Sequence, residues 1–345
     1  MKIAIVTVQV PFISGGAELH TRNLAQALIA AGHDVDVVTM PFWFNPPALL
    51  REYEDRWARE DMSVYLSGTI DRVICLKYPS YFVRHPRKSI WLLHPLSSMY
   101  DFYDTPYGAT SSDKEAAAFR RELLIRDRQA FEDVQRRFTV SHYLADKVHE
   151  IVGVNFQPLY HPPPDPHVYR CEGAYPFIFA PSRLEEQKRQ DVLIQAMQYV
   201  DPAIHLVLAG AGGQLANCIR LAAECGVSDR IVFAGDLDRS KIATYYANCL
   251  GVYFGPFSEP YGYVTLEAML SSKPVITCTD SGCPTEFVQD SVNGRVVEPL
   301  PGAVADAINA LWADRSEARN MGRAGRAIYE EHAFSWANVA AALVD

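Results

Sequence analysis

Short apolar runs alternate with amphipathic stretches along the first half of the chain. The apolar runs have the length and β-branched content of buried strands, and the stretches between them place apolar residues at helical spacing. The predicted strands span residues 3–8, 35–39, 73–77, 90–94 and 138–140. The predicted helices span residues 17–31, about 113–137 and 141–152, and Ser141 is the expected N-cap of the last.

The second half of the chain repeats the same alternation. Its predicted strands span residues 177–180, 205–209, 231–234, 252–255 and 274–278. Its predicted helices lie near residues 188–199, 214–225, 239–248, 262–271 and 302–313. Regular alternation of strands and helices predicts an α/β protein with parallel, doubly wound, Rossmann-like sheets.

A proline-rich segment at residues 157–166 separates the two halves. Proline lacks the N–H donor and restricts the residue before it, so neither a helix nor a sheet is expected to continue through this segment. We therefore predict an N-terminal domain over residues 1–165 and a C-terminal domain over residues 166–330. They are expected to face each other across a cleft at the carboxyl ends of their strands. The tail at about 331–345 is apolar and needs a surface to pack against, which a helix that crosses back to the first domain would find. Whether this last helix is cut short at Asp345 is left open by the sequence.

Composition narrows the class of protein. The 345 residues carry a formal net charge of −9, which argues against a nucleic-acid partner, since such proteins present a basic face. The seven cysteines include no CxxC pair and are typical of free thiols in a reducing compartment. No apolar run approaches the ~18 residues that a membrane-spanning helix needs. These features predict a cytoplasmic protein.

Two carboxylates stand out in residues 258–270. Glu267 lies inside an apolar, helix-forming run, and Glu259 precedes it in a turn that contains Pro260 and Gly262. Burying a carboxylate costs several kcal/mol, roughly, unless a donor or cation meets it. The vicinal hydroxyls of a ribose are one such partner, and the N–H groups at the start of a helix can receive phosphate or sugar oxygens. This segment points to a nucleotide-sugar enzyme.

Two cations follow the first predicted strand of the second half. Arg183 and Lys188 lie beside a helix start. The planar guanidinium of an arginine and the compact ammonium of a lysine together suit the oxygens of a pyrophosphate. An ordinary surface location, with the cations paired to Glu185 and Glu186, explains them equally well.

The first half offers glycines and a histidine at comparable positions. Gly15 and Gly16 follow the first strand and open a helix, where an anion can approach the backbone closely. His94 ends a predicted strand, at the sheet edge where sites form. A plain strand-to-helix turn and a structural histidine are the alternatives. No cluster of His, Cys, Asp or Glu has metal-ligand spacing, so no metal is expected.

Taken together, these motifs resemble the retaining GT-B glycosyltransferases of family 4, the glycosyl transferases group 1. The likeness runs from about residue 3 to about residue 330 and is strongest across 176–299. It rests on the positions above and on further motifs in the family's order. These are Gly15-Gly16-Ala17-Glu18, Gly210-Ala211-Gly212, Phe233-Ala234-Gly235, Lys273-Pro274-Val275-Ile276, Ser281-Gly282-Cys283-Pro284-Thr285-Glu286 and Asn293-Gly294.

The resemblance implies a role for each matching residue. Arg183 and Lys188 would hold the donor diphosphate, Glu259 would meet the donor sugar, and His94 would contact that sugar near its anomeric carbon. Glu267 would bind the ribose hydroxyls. The full donor-binding set that the resemblance implies is Gly15, Gly16, Gly210, Asp236, Leu237, Tyr261, Gly262, Tyr263, Val264 and Glu267.

The resemblance also implies a reaction. A hexosyl-type sugar would pass from a UDP or GDP type donor to a hydroxyl of a glycan, a lipid-linked or a small-molecule acceptor. The anomeric configuration would be retained, without a metal or other cofactor. A same-face route is expected because the sequence offers no convincing carboxylate for a covalent intermediate. A sugar-nucleotide epimerase of the same architecture and a non-catalytic nucleotide-sugar-binding protein remain alternatives.

Acceptor recognition is less well specified. The motif that begins at His94 lacks the basic residue common in related enzymes, and residues 41–57 are expected to form an irregular, aromatic-rich loop over an acceptor site. The arginine-rich segment at 113–137 leaves peripheral contact with the inner face of the membrane open, beside the alternative of a solvated, salt-bridged face. The nucleotide base, the sugar, the acceptor and the oligomeric state are not encoded in any motif that we recognise.

Overall fold

The computed structural model describes residues 1–12, 15–44, 46–63 and 68–344. The chain divides into two compact units. The first consists of Met1–Pro164 together with Phe334–Asp345, and the second consists of Asp165–Ala333. The predicted division after residue 165 lies one residue away, and the C-terminal segment belongs to the first unit.

The first unit contains a six-stranded parallel sheet in the order β2-β1-β3-β4-β5-β6. Its strands are β1 Lys2–Gln9, β2 Asp34–Pro41, β3 Arg72–Lys77, β4 Lys88–His94, β5 Arg136–Thr139 and β6 Gln157–Pro158. Its helices are α1 Gly16–Ala30, α2 Pro47–Arg59, α3 Lys114–Glu132, α4 His142–Val152 and α12 Trp336–Val344. The three central strands are almost wholly buried, which explains why they read as apolar runs.

The second unit contains another six-stranded parallel sheet, in the order β12-β11-β10-β7-β8-β9. Its strands are β7 Phe177–Pro181, β8 His205–Ala209, β9 Ile231–Gly235, β10 Gly251–Tyr253, β11 Val275–Cys278 and β12 Gly294–Val297. Its helices are α5 Gln190–Ala196, α6 Leu215–Glu224, α7 Arg239–Asn248, α8 Tyr263–Leu270, α9 Pro284–Phe287, α10 Pro301–Ala313 and α11 Arg315–Glu331. The two sheets confirm the α/β, doubly wound prediction.

The predicted irregular loop at 41–57 is wrong over most of its length. Residues from Pro47 onward form α2, and of the predicted loop Asn45 lies outside the described residues. Pro47 at the first turn suits a helix start, and Leu50, Tyr53 and Trp57 form one buried face. The aromatic residues that suggested an irregular loop are the apolar stripe of a helix.

Two other sequence predictions were wrong at element ends. The helix expected over 113–137 stops at Glu132, and Arg136 begins β5, which pairs with β4. The proline-rich segment, expected to exclude sheet, starts with the short edge strand β6, paired through Thr139 and Pro158. Proline is tolerated there because an edge strand has one side without a ladder partner.

The last helix, α12, packs within the first unit. The Ser89 hydroxyl donates to the Leu343 carbonyl at 3.1 Å, and the Arg136 guanidinium donates to the Ala342 carbonyl at 3.1 Å. Val339 and Leu343 are fully buried. The apolar tail therefore finds its partner surface on the first unit. Across the described ranges, no helix combines the length and apolarity needed to cross a membrane.

Candidate functional site

The second sheet changes its direction of growth between β7 and β10. From β7 the chain builds β8 and β9 on one side, and then returns to place β10 on the other side. Crevices at such switch points, outside the carboxyl ends of the strands, are the usual ligand sites of open α/β sheets. The segments that follow β7, β8, β9 and β10 carry Arg183, Gly210, Asp236 and Glu259, so these predicted residues lie along one edge.

Lys188 and Glu259 meet at this switch point. Lys188 closes a single helical turn, Glu186–Lys188, after β7, and its ammonium forms an ion pair with the Glu259 carboxylate after β10. The Phe257 N–H donates to the Gln187 carbonyl at 2.8 Å, so backbone contact holds the two loops together. The side chains are 12% and 19% exposed, which shields the charges from water and strengthens their interaction.

The loop that carries Glu259 is fixed from its other side. The Glu259 N–H donates to the Ser281 carbonyl at 2.9 Å, and the Cys283 N–H donates to the Glu259 carbonyl at 2.9 Å. Glu259 thus sits in a short parallel bridge with the segment after β11. Such backbone pairing sets where the carboxylate lies without using the carboxylate itself.

Arg189 is a positioning residue that the sequence analysis did not identify. Its guanidinium donates to both carboxylate oxygens of Asp280, at 2.9 and 2.6 Å, and to the carbonyls of Gly255 and Pro256 at 2.9 and 2.7 Å. One buried side chain therefore ties together the loops after β7, β10 and β11. The sequence feature that could have pointed to Arg189 is its position next to Lys188, but adjacent arginine and lysine residues usually indicate an exposed surface.

The start of α8 follows this loop directly. Gly262 caps the helix with φ +80°, and a Cβ there would lie 2.6 Å from Cε1 of Phe254. Glycine is therefore required by both backbone conformation and packing. Tyr263 and Val264 lie in the first turn of this helix, and N–H groups at a helix start are generally suited to phosphate or sugar oxygens. Tyr261 is buried just before the turn.

Glu267 lies on α8, where tyrosine hydroxyls meet its carboxylate. The Tyr246 hydroxyl donates to Glu267 Oε2 at 2.9 Å, and the Tyr169 hydroxyl makes a second hydrogen bond. Burial raises the pKa of Glu267, and the two hydroxyls and Arg239 offset only part of that effect. The structure thus supplies the polar partners that a carboxylate in an apolar run requires. A ribose hydroxyl would add to this set.

Arg183 and Gly210 lie at neighbouring strand ends. The Arg183 side chain is half exposed, with a 4.0 Å contact to Glu185, so the ordinary surface pairing considered from the sequence is present in the structure. Gly210 has φ +127°, and a Cβ there would lie 2.1 Å from the Ser182 carbonyl oxygen. Close packing of the loops after β7 and β8 requires this glycine, whether or not a ligand is bound.

Asp236 and Leu237 follow β9 at the far end of the same edge. Asp236 is exposed and Leu237 is half-buried. Two residues on, the Asp238 side chain accepts from the Lys241 N–H at 2.9 Å and caps α7. Their backbone therefore runs from a strand end into a capped helix, where a flat base could lie against it.

The predicted residues of the first unit occupy the carboxyl edge of its own sheet. His94 ends β4, and its Nδ1 lies 2.9 Å from the Pro95 carbonyl oxygen. Gly15 precedes α1, and among the described residues a Cβ there would meet Glu18 Oε2, at an ordinary 3.7 Å. Packing against that part of the chain does not explain the glycine at this position. Gly16 is the exposed first residue of the helix.

A second lysine–glutamate pair lies beside Gly15, at the switch point between β1 and β3. Glu18 Oε2 accepts from the Gly15 N–H at 2.8 Å, and Glu18 Oε1 lies 3.2 Å from the Lys77 ammonium. Burial alone would raise the pKa of Glu18, but Lys77 and the Gly15 N–H hold it below its usual value. The Glu18 carboxylate is thus a negative charge, supplied by the protein itself, at the N-terminus of α1.

Two buried polar clusters of the first unit were not found from the sequence. Nδ1 of His20 lies 3.0 Å from Nε2 of His161, and both rings pack on Trp91. Burial lowers the pKa of His20 to about 3, with Lys77 adding to the effect, and burial lowers the pKa of His161 well below its usual value. Both imidazoles are therefore neutral, and the contact of His161 with His20 joins the proline-rich segment to α1.

The other cluster surrounds Asp127 on α3. The hydroxyls of Tyr81 and Tyr100 donate to its carboxylate at 2.7 and 2.6 Å. Burial raises the pKa of Asp127 to about 7, although these two hydroxyls favour the charged form. No sequence motif marks Asp127, because its partners are distant in the chain.

The described residues contain no group of three or more His, Cys, Asp or Glu side chains arranged to hold a metal ion.

Arginines of α3 form ion pairs with acids of the first unit. Arg126 pairs with Glu54 at 2.8 Å and with Asp55 at 3.0 Å, and Arg128 pairs with Glu132 at 2.9 Å. Several arginines of this helix are therefore engaged within the first unit, as a salt-bridged face requires.

Residues 167–328 match the family model described as Glycosyl transferases group 1. A D-inositol 3-phosphate glycosyltransferase of Xylanimonas cellulosilytica is 28% identical over 254 residues, covering 70% of this chain and 60% of that protein. A GDP-mannose-dependent alpha-(1-6)-phosphatidylinositol monomannoside mannosyltransferase of Mycobacterium tuberculosis is 35% identical over 185 residues, covering 50% of this chain and 47% of that protein. The matches thus span about half to three-fifths of these relatives' length.

Solved structures extend the likeness to the whole chain at the level of fold. The Anabaena protein Alr3699/HepE, solved in complex with UDP and glucose, superposes with a TM-score of 0.70 at 18% identity. The superposition covers 99% of this chain and 97% of that one. Both six-stranded sheets therefore belong to one shared architecture.

Proposed function

We propose that the protein is a retaining glycosyltransferase that uses a nucleoside diphosphate sugar, because residues 167–328 of this GT-B fold match the family model described as Glycosyl transferases group 1. The transferred group is a hexosyl-type sugar, and the donor is of the UDP or GDP type. The acceptor is a hydroxyl of a glycan, a lipid-linked or a small-molecule compound, bound by the first unit. Relatives that use GDP-mannose and neighbours solved with UDP support both donor types.

The Lys188–Glu259 pair is the observation that carries the proposal. It combines a cation and an acid, both partly buried, at the switch point of the family-matched unit. A diphosphate needs a cation and helix N–H groups, and a sugar needs an acceptor for its hydroxyls. This pair and the start of α8 offer both at one edge of the second sheet. In our proposal Lys188 turns from Glu259 to the diphosphate when the donor binds, and Glu259 then accepts hydroxyls of the sugar.

The other residues act around this pair. Arg183, half exposed at the end of β7, adds a second cation for the diphosphate. Glu267 receives the ribose hydroxyls, with Tyr246 and Tyr169 holding its carboxylate in place. Asp236 and Leu237 lie against the base, and Gly210 lets the neighbouring loops pack. In the first unit, Gly15 and Gly16 give the distal phosphate room, and His94 contacts the transferred sugar.

The chemistry follows from where charge develops. As the bond between sugar and phosphate breaks, negative charge grows on the leaving diphosphate, and Lys188, Arg183 and the α8 N–H groups stabilise it without a metal. The departing phosphate oxygen takes the proton of the acceptor hydroxyl, which attacks from the same face of the sugar. Retention then needs no carboxylate on the opposite face.

The test has two stages. Thermal-shift measurements with UDP, GDP, ADP and dTDP should single out one nucleotide, since a ligand that binds only the folded protein raises its melting temperature. NMR of the product from the matching sugar nucleotide should then show the donor's own anomeric configuration. An inverted product would rule out retention. An epimerised sugar nucleotide formed without acceptor would instead identify an epimerase, and nucleotide binding without turnover would indicate a non-catalytic binding protein.

A further inference from the structure

A basic cavity lies at the amino-terminal edge of the first sheet, the edge opposite to His94 and Gly15. Its volume is about 700 Å³. The cavity is bounded by the starts of β3, β4 and β5, the segment between β3 and β4, and the end of α3. Its cationic lining residues are Arg72, Arg84, Arg87, Lys88, Arg126 and Arg136.

Three of these cations are the first residues of adjacent parallel strands. Arg72 begins β3, Lys88 begins β4 and Arg136 begins β5, and the register pairs Lys88 with Val73 and Arg136 with Ser89. Neighbouring strands lie about 4.8 Å apart, so the three cations start from one narrow edge. Like charges so placed repel each other, which destabilises the unit unless an anion compensates.

The side chains are held in place mainly by neutral acceptors. The Lys88 ammonium donates to the Tyr81 and Val83 carbonyls at 2.8 and 3.0 Å. Arg84 donates to the Arg59 carbonyl at 2.8 Å, and Arg136 to the Ala342 carbonyl at 3.1 Å. Carbonyls orient these groups without cancelling their charge. The cavity is therefore pre-organised with its positive charge retained.

Carboxylates near the cavity do not balance the six cations. Arg126 is paired with Glu54 and Asp55, which do not line the cavity. Asp61, whose pKa is lowered mainly by hydrogen bonds from Ser63 and further by Arg84, contributes a third negative charge. Within the described part of the chain, Asp133 is the acidic residue that lines the cavity. The local excess is positive although the whole chain carries −9.

We propose that this cavity binds an anion bearing two or more phosphate groups, separately from the donor site. Guanidinium forks match phosphate oxygens in pairs, and several of them converge here on one space. The volume lies within the range of roughly 300–1,000 Å³ typical of small-ligand sites. The phosphate groups belong either to a soluble oligophosphate compound or to a phosphorylated lipid headgroup.

Calorimetry with inorganic tripolyphosphate tests the proposal. The test variant is Arg84→Ala/Arg87→Ala, two exposed residues whose removal leaves the buried edge intact. The matched control is Arg121→Ala/Arg128→Ala, which removes the same charge from exposed positions of α3. Lys188→Ala is measured in parallel, because it weakens diphosphate binding at the donor site. We expect about 10-fold weaker binding for the test variant alone, with the control and Lys188→Ala retaining the site.

Vesicle sedimentation separates the two sources of phosphate. Phosphatidylcholine vesicles with and without cardiolipin, whose headgroup carries two phosphate groups, are compared for the wild type and the test variant. Binding that needs cardiolipin and is lost in the variant identifies a lipid headgroup, whereas tripolyphosphate binding without vesicle binding identifies a soluble compound. Equal tripolyphosphate affinity in the test and control variants would overturn the proposal, as would binding lost only with Lys188→Ala. Glycosyl transfer by the test variant should be unchanged, so this outcome is independent of the proposed enzymatic function.

Discussion

Each unit places a lysine–glutamate pair at the switch point of its sheet, and the two pairs have opposite polarity. In the first unit the acid, Glu18, follows the first strand and Lys77 comes from the neighbouring strand. In the second unit the cation, Lys188, follows the first strand and Glu259 comes from the neighbouring loop. The charge beside the first helix start therefore differs in sign between two similar folds.

In our proposal, the difference separates a structural pair in the first unit from a donor-binding pair in the second. Glu18 accepts the Gly15 N–H and the Lys77 ammonium, so the helix start in the first unit already holds its anion. Lys188 and Glu259 are placed by backbone hydrogen bonds of their two loops, such as those from Phe257 to Gln187 and from Glu259 to Ser281, which do not use the two charged groups. A pair positioned in this way can separate without unfolding its loops. The same sheet topology thus yields one edge that is complete by itself and one that can exchange a partner.

The largest expected effect comes from removing each lysine in turn. Lys188→Ala should lower kcat by about 100-fold or more, because a stabiliser of developing charge is lost. Lys77→Met should instead lower the unfolding free energy by about 3 kcal/mol, because it leaves Glu18 partly buried without its cation. Transfer kinetics and urea unfolding of both variants measure the two effects. Swapped outcomes, with Lys77 controlling turnover and Lys188 controlling stability, would reverse the distinction.

A second prediction concerns pH and sets the first unit's buried acid against its buried imidazoles. Asp127 has a folded pKa of about 7, above its unfolded value, so its contribution to stability is full below the unfolded pKa and is lost as pH rises toward 7. His20 has a folded pKa of about 3, below its unfolded value, so its contribution is lost as pH falls below about 6.5. The two slopes oppose each other between roughly pH 4 and 6.5.

Asp127→Asn separates the two slopes. The unfolding free energy of the variant minus that of the wild type should rise with pH between about 4 and 7, by on the order of 4 kcal/mol, because the amide does not titrate. The variant alone should then show the acid sensitivity of His20 more steeply. Chemical denaturation at several pH values measures this difference, and a difference independent of pH would show that Asp127 titrates normally.

The smallest expected effect tests whether Lys188 is shared. Glu259→Gln removes the charge that competes for Lys188, so the free nucleoside diphosphate should bind about 3- to 10-fold more tightly, while kcat falls. Calorimetry with the nucleotide and steady-state kinetics measure the two changes. Glu18→Gln in the first unit is the matched control and should leave nucleotide affinity unchanged. Weaker nucleotide binding in Glu259→Gln would show that the acid supports, rather than competes with, the phosphate contact.

Sequence pattern predicted the sheets well because buried parallel strands such as β4 and β8 are continuous apolar runs. It failed at α2, where Trp57 and its neighbours read as aromatic loop residues until their common buried face was known. Among the candidate site residues, Lys188 and Glu259 were proposed from motif order, and the structure brings the two together although they lie 71 residues apart. Arg189, His161 and Asp127 could not be identified, because only tertiary contacts distinguish them from ordinary surface or core residues.

The return of α12 to the first unit has a consequence for biosynthesis. Trp336 packs against His20 and Trp91, and the Leu343 carbonyl accepts a hydrogen bond from the Ser89 hydroxyl. His20, Ser89 and Trp91 therefore cannot make these contacts until residues more than two hundred positions later have been synthesised. A ribosome synthesises the entire stretch from Asp165 to Ala333 before those partners exist. The half encoded in the middle can therefore mature first, and the half encoded at the beginning is finished last.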